Sequence, residues 1–274
     1  MARRVFALAS LTVVCILTAS LGAQSPTSDL AEHGHWKRLK ALIEPRAAAN
    51  PNDAETQWLL SCVRLIYKDA DGALAPAEKA AALDPKNVEY RFQVAEVVGE
   101  MAQTASVFKQ MGLAKRYKRE IEAALALNPK HIKSMTGLME YYSRAPGIMG
   151  GDKTKAQDLP NQISAVSKVD GHLAKVRLLQ QRSPLPVGEI EQAYVQAVQA
   201  DPSRFEPHVN LASIYASGAA PRWELAEKEA LAAKKIDADR TASYSILAAV
   251  YATAERWAEL DAVLADAERK FPTT

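Results

Sequence analysis

Two cysteines are all the thiol chemistry this chain has: Cys15 and Cys62 among 274 residues. Cys15 lies in an N-terminal apolar stretch that is expected to be removed. Cys62 would then stand alone, which excludes an intramolecular disulfide and leaves packing to hold the fold. A solitary cysteine reads best as a small buried hydrophobe. Aromatic residues are also scarce, at 7%, against 48% hydrophobic residues overall. With alanine very frequent, that balance favours closely packed helices over sheets. No sign of charge dominates either. The chain carries 34 basic and 32 acidic residues, and loss of residues 1–23 takes only Arg3 and Arg4, leaving 32 against 32. A neutral chain has no general attraction for nucleic acid or anionic lipid. Nor is there a recognisable nucleophile motif, so no residue is nominated as catalytic.

What is present begins with a secretory signal pattern. Arg3 and Arg4 precede an apolar run from Val5 to about Leu17, followed by the small residues Thr18, Ala19, Ser20, Gly22 and Ala23. The run is short for a spanning helix, and no cysteine follows it to take a lipid. Residues 1–23 are therefore expected to be a cleaved signal and 24–34 a linker, with an uncleaved anchor as the competing reading. No later segment is apolar enough to cross a bilayer. The expected location is the periplasm or the exterior, with no stable membrane insertion after cleavage.

The body of the chain repeats. Asp or Asn followed by Pro recurs at Asn50-Pro51, Asp84-Pro85, Asn128-Pro129 and Asp201-Pro202, with Phe271-Pro272 at the end. Pro51 to Pro85 is 34 residues, and Pro85 to Pro129 is 44, one period plus ten. Asp237-Ala238-Asp239 continues the series without its proline. The unit ending there has Leu211, Ala212, Tyr215, Ala226 and Ala233; the next has Tyr244, Leu247, Ala248, Tyr251 and Ala267; the first full unit has Leu60, Ser61, Ala73 and Ala80. Large residues next to small ones let one helix seat against another. A helical hairpin that cannot bury its face alone must stack on its sequence neighbours, sharing a core only with them.

This 34-residue pattern resembles the tetratricopeptide repeat (TPR) family. The resemblance implies an all-α, right-handed superhelical solenoid of antiparallel helix hairpins. About six repeats are expected over residues 50–272, with an N-terminal capping helix over 35–49. Asp and Asn before each proline are expected to end one helix and cap the next. The fit weakens in the middle, where Tyr117 stands in place of an alanine. Pro76 and Pro160 fall inside second helices and are expected to bend them.

Three other segments invite a functional reading and resist it. An insertion turn at 145–155 contains Gly147, Gly150, Gly151, Lys153 and Thr154. Asp152 stands where a phosphate-binding loop needs glycine, and a helix rather than a strand precedes the turn. It reads as an extended turn, with Asp152 capping the following helix. His33 and His35 are close in sequence but lack a nearby third ligand, so no metal or cofactor is expected. The run Lys115-Arg116-Tyr117-Lys118-Arg119 reads as a solvated helix face rather than a nucleic-acid or lipid site, given the neutral total.

The resemblance implies that first helices line a concave ligand face. Counting from each proline places Glu55, Trp58, Cys62 and Leu65, then Glu89, Phe92 and Glu96, then Lys133, Thr136 and Glu140 on that face. The last two units offer only Val209, Ser213, Ala216, Ser245, Ala249 and Ala252. Trp58 and Phe92 rimmed by acids suggest a pocket for an apolar or basic segment, with Trp58 packing under the capping helix as the competing reading. The expected function is a protein- or peptide-binding scaffold of the cell envelope, not an enzyme. The alternative is an accessory subunit of an envelope transport or secretion system that holds a small ligand.

Overall fold

The computed structural model describes residues 26–217 and 220–271; the expected signal segment and Pro272 lie outside them. Fourteen α-helices and no strand occur among the described residues. A short α1 (Pro26–Glu32) precedes α2 (Trp36–Ala49). Six hairpins follow: α3 (Ala54–Ile66) with α4 (Ala70–Leu83), α5 (Val88–Thr104) with α6 (Val107–Leu127), and α7 (Ile132–Arg144) with α8 (Lys153–Val166). Then come α9 (Lys168–Leu179) with α10 (Val187–Ala200), α11 (Phe205–Ala216) with α12 (Trp223–Ile236), and α13 (Thr241–Thr253) with α14 (Trp257–Lys270). Each helix packs on the next in sequence, and first helices touch across units, α3 on α5, α7 on α9, α11 on α13. The result is an all-α solenoid.

Alanine makes the close packing. Ala73, Ala77 and Ala80 of α4 and Ala226, Ala230 and Ala233 of α12 are fully buried, each set three or four residues apart on one helical face. Tyr117, the misfit in the alanine pattern, is accommodated by glycine on two facing helices. A Cβ at Gly99 would sit 2.9 Å from the Tyr117 ring, and one at Gly137 would sit 3.0 Å from its hydroxyl. The large residue has moved to one helix and the space to its neighbours.

Four of the five turns between units obey one rule. Asp84, Asn128, Asp201 and Asp237 each end a helix, and the side chain of each accepts a hydrogen bond from the backbone N–H two residues on, at 3.3, 3.0, 3.0 and 2.9 Å. Asp237 does this without a following proline. The expectation that these residues also cap the next helix is corrected: three residues of turn intervene, too far for the side chain to reach. Of the helices that follow these four turns only α5 has a side-chain cap, from Asn87, which accepts from Glu89 N–H at 3.0 Å and Tyr90 N–H at 3.3 Å. The expected linker is corrected too. Pro26 begins α1, a position where a missing N–H costs nothing, and Leu30 and Ala31 pack on the α2–α3 core.

The core divides unevenly. From Val176 in α9 to Val263 in α14 one continuous apolar cluster runs through three hairpins. Towards the N-terminus there are four smaller clusters. The C-terminal half also repeats a clamp. Arg222 lies over the Tyr215 ring at 4.4 Å and donates to Glu191 of the preceding unit at 2.9 and 2.6 Å. One unit on, Arg256 lies over Tyr251 at 4.6 Å and donates to Glu227 at 2.6 Å. The two ends of the array meet, which neighbour-only stacking did not anticipate. His33 Nε2 is 3.7 Å from Asp237 Oδ2, and the His35 ring centroid is 5.9 Å from that of Phe271. These contacts are a charged pair and a ring pair; the apolar clusters themselves join neighbours.

Candidate functional site

The first helices of units one to three, α3, α5 and α7, set an aromatic and charged row side by side. Asn87 starts α5 so that Glu89, Phe92 and Glu96 fall at spacings of three and four on one face. His131 starts α7, placing Lys133 and Glu140 beside them.

Glu89 is the hub. It accepts from His131 Nε2 at 3.1 Å and from Lys133 Nζ at 2.9 Å. His131 is buried, and its Nδ1 lies 2.7 Å from the Ser134 hydroxyl. The hydrogen bond from His131, aided by Lys133 and opposed by desolvation, holds the Glu89 carboxyl down at about 2. Burial works against the Lys133 ammonium, but the bond and charge of Glu89, with Glu96 beyond, carry its pKa above the ordinary lysine value. Across the row Arg177 of α9 donates to Glu140 at 3.0 Å.

Glu96 differs from both acids. It is exposed to solvent and has no hydrogen bond or ion pair among the described residues. Yet the surrounding protein desolvates it enough to raise its pKa, with Lys133 acting the other way and Glu89 adding to the rise. A residue open above and walled at the sides is what the floor of a concave face provides. Beside it the Cys62 thiol donates to Gln93 Oε1 at 3.4 Å, and Gln93 Nε2 donates to the Ser61 hydroxyl at 3.1 Å. Burial pushes the thiol up to about 12, so Cys62 is an inert wall residue.

The expected aromatic pair separates. Trp58 is half-buried against the α2–α3 cluster, with its ring 5.9 Å from that of Tyr90. Phe92 is only 6% exposed and belongs to the core, edge-on to His131 at 5.3 Å. Phe92 is therefore corrected from a guest-facing residue to a support for His131; its ring packs with Ala95, Ile121 and Ala124 where α5 meets α6. Leu65 packs on the α4–α5 core, and Glu55 is half-buried at the start of α3. Two side chains of this charged row, His131 and Arg177, were missed. His131 ends a turn rather than sitting at a counted helix position, although its place just after Asn128-Pro129 was a signal. Arg177 lies in the unit whose marker proline is absent, so counting from prolines could not reach it.

The other half of the face is smooth. Ser213 and Ser245 are exposed but donate to their own helices, to Val209 O at 3.0 Å and Thr241 O at 3.2 Å. In the insertion turn, Asp152 accepts from Thr154 and Lys155 N–H, both at 3.1 Å, occupying amides that a phosphate would need. Among the described residues no three metal-type ligands converge. A hollow of about 310 Å³ lies apart, lined by Glu78, Arg91, Arg116 and Glu120, whose charges pair with one another.

No protein-family model matches the sequence, and no curated protein matches it. Solved structures do match the fold. A thermophilic TPR protein from Thermus thermophilus, TTC0263, aligns over 69% of this chain and 94% of its own at 18% identity, with a TM-score of 0.57. The human IFIT1 dimer with m7Gppp-AAAA aligns over 89% of this chain and 52% of its own at 16% identity, with a TM-score of 0.53. At such identities the likeness establishes the fold: this chain has the TPR fold.

Proposed function

We propose that this TPR-fold chain is a protein- or peptide-binding scaffold of the cell envelope, and that it grips an extended segment on the concave face of its first three hairpins. The observation that carries the reading is the unpaired Glu96. Lys133 and Arg177 are each matched by an acid, so the floor keeps one unmatched negative charge in a desolvating setting. Such a charge favours a guest that brings one cation, a Lys or Arg side chain. Half-buried Trp58 and Tyr90 offer an apolar shelf a short way along the face. The smooth C-terminal half, lined by Ser213, Ser245 and Ala249, lets a chain pass without selecting it. The envelope setting rests on the N-terminal signal pattern.

Pull-down from envelope extracts, with the wild-type chain and Glu96→Lys as baits, tests this. A partner retained by the wild type and reduced at least about tenfold by the substitution is expected. An identical set of proteins on both baits contradicts the reading.

A further inference from the structure

The second hairpin is longer than its neighbours. α5 and α6 have 17 and 21 residues, against 13 and 14 in α3 and α4. The inter-unit turns keep their places, so the extra length collects at the α5–α6 tip, which projects about 6–10 Å at 1.5 Å per residue. From this tip down α6, Phe108, Met111, Lys115 and Arg119 follow spacings of three, four and four, forming one stripe. Phe108 is 92% exposed and Met111 52%. The insertion turn of the next hairpin lies on the same edge and ends in Ile148, 93% exposed. Lys118 joins the two: its Nζ is 3.5 Å from where Gly150 would carry a Cβ, and 5.7 Å from the ring centroids of both Tyr141 and Tyr142.

Charge is segregated here although the chain is neutral. Residues 105–119 contain five basic side chains and no acid. The acids that follow are engaged: Glu120 is buried between Arg91 and Arg116, and Glu122 is 3.6 Å from Lys118. Asp152 caps α8. By contrast Lys109, Lys115 and Lys153 form no ion pair among the described residues. The basic run that reads as a solvated face in one dimension thus becomes, in three, a projecting corner with apolar tips and free lysines.

We propose that this corner docks on an anionic phospholipid surface. Phe108, Met111 and Ile148 enter the boundary between headgroups and acyl chains, and Lys109, Lys115 and Lys153 meet lipid phosphates. The shape favours lipid over a folded partner. The apolar side chains stand singly on protrusions among long flexible cations, which suits a deformable surface better than a matched one. The corner belongs to the turn edge, so docking leaves the concave face open and holds it beside the membrane.

Co-sedimentation with vesicles tests the proposal, using mixed phosphatidylcholine–phosphatidylglycerol vesicles and pure phosphatidylcholine vesicles. The chains compared are wild type, Phe108→Ser with Met111→Ser, and Lys109→Glu with Lys115→Glu. All keep the same N-terminus, so any affinity of residues 1–23 is common to them. All the substituted side chains are exposed, and matching thermal melts confirm that each variant is folded. The wild type is expected to bind the anionic vesicles, each double variant at least about tenfold less, and added salt to weaken binding. Equal binding by all three chains overturns the proposal, as does wild-type binding that ignores phosphatidylglycerol. So does loss, in both variants, of a protein crosslink from a reactive side chain at position 148 while vesicle binding is unchanged, because a protein then occupies the corner.

Discussion

The two halves of this solenoid solve different problems with the same hairpin. The C-terminal three hairpins share one apolar cluster, repeat the Tyr–Arg–Glu clamp and present a smooth inner face. The N-terminal three break the core into smaller clusters, thread Cys62, Gln93 and Ser61 between them, and gather their charges on the inner face. Regularity and continuous burial go together, as stacking predicts. Where the inner face carries polar hubs such as Glu89 and His131, the core beneath it must give up continuity to supply their partners.

Breaking the continuous core should produce the largest effect. Leu247→Ala, at a site 1% exposed, should cost about 2–5 kcal/mol and lower amide protection from α9 through α14. Ile43→Ala, equally buried, should cost a similar amount but lower protection only in α1 to α3; hydrogen exchange distinguishes the two patterns. Uniform loss across the chain in both variants would erase the comparison. A smaller loss, about 1 kcal/mol, is expected from Asn87→Ala, which removes the cap that starts α5, and a urea melt reads it.

The acid limb of the stability curve sharpens the contrast further. Glu89 titrates at about 2 in the folded chain against 4.5 when free, so its contribution is complete above 4.5 and is lost as pH falls towards 2. Glu89→Gln should flatten acid destabilisation in that window, measured by melts across pH. The smallest effect on stability concerns Cys62. With its thiol at about 12 rather than 9.0, roughly a thousandfold less thiolate is present at pH 8, and a thiol reagent should label it only when the N-terminal hairpins open. Labelling at the rate seen in urea would show that α3 and α5 do not enclose it.

Much of the fold was legible in the sequence because the turn chemistry repeats. Asp84, Asn128, Asp201 and Asp237 mark every unit boundary but one, and the alanines of α4 and α12 mark the buried faces. The missing boundary, at Ser167, is where counting failed and Arg177 was lost. The candidate site was legible as a set of positions, not as a set of roles. Spacing puts Glu89, Phe92 and Glu96 on one face of α5, but it cannot tell that Phe92 turns into the core while Glu96 stays open. Those outcomes depend on packing against α6 and on α7, whose His131 and Lys133 lie 35 to 41 residues from Phe92 and Glu96. The meeting of His33 with Asp237 depends on the curvature accumulated over five hairpins, which no local pattern records. The membrane-facing corner was hidden for a related reason, since Ile148 and Phe108 share an edge only after two hairpins stack.

Photocrosslinking in the producing cell, from a reactive side chain placed at position 96 and, separately, at position 213, tests the central claim most directly. A guest held by the charged half predicts a protein adduct from position 96 and little from 213. Adducts from 213 alone, or none from 96, would contradict it.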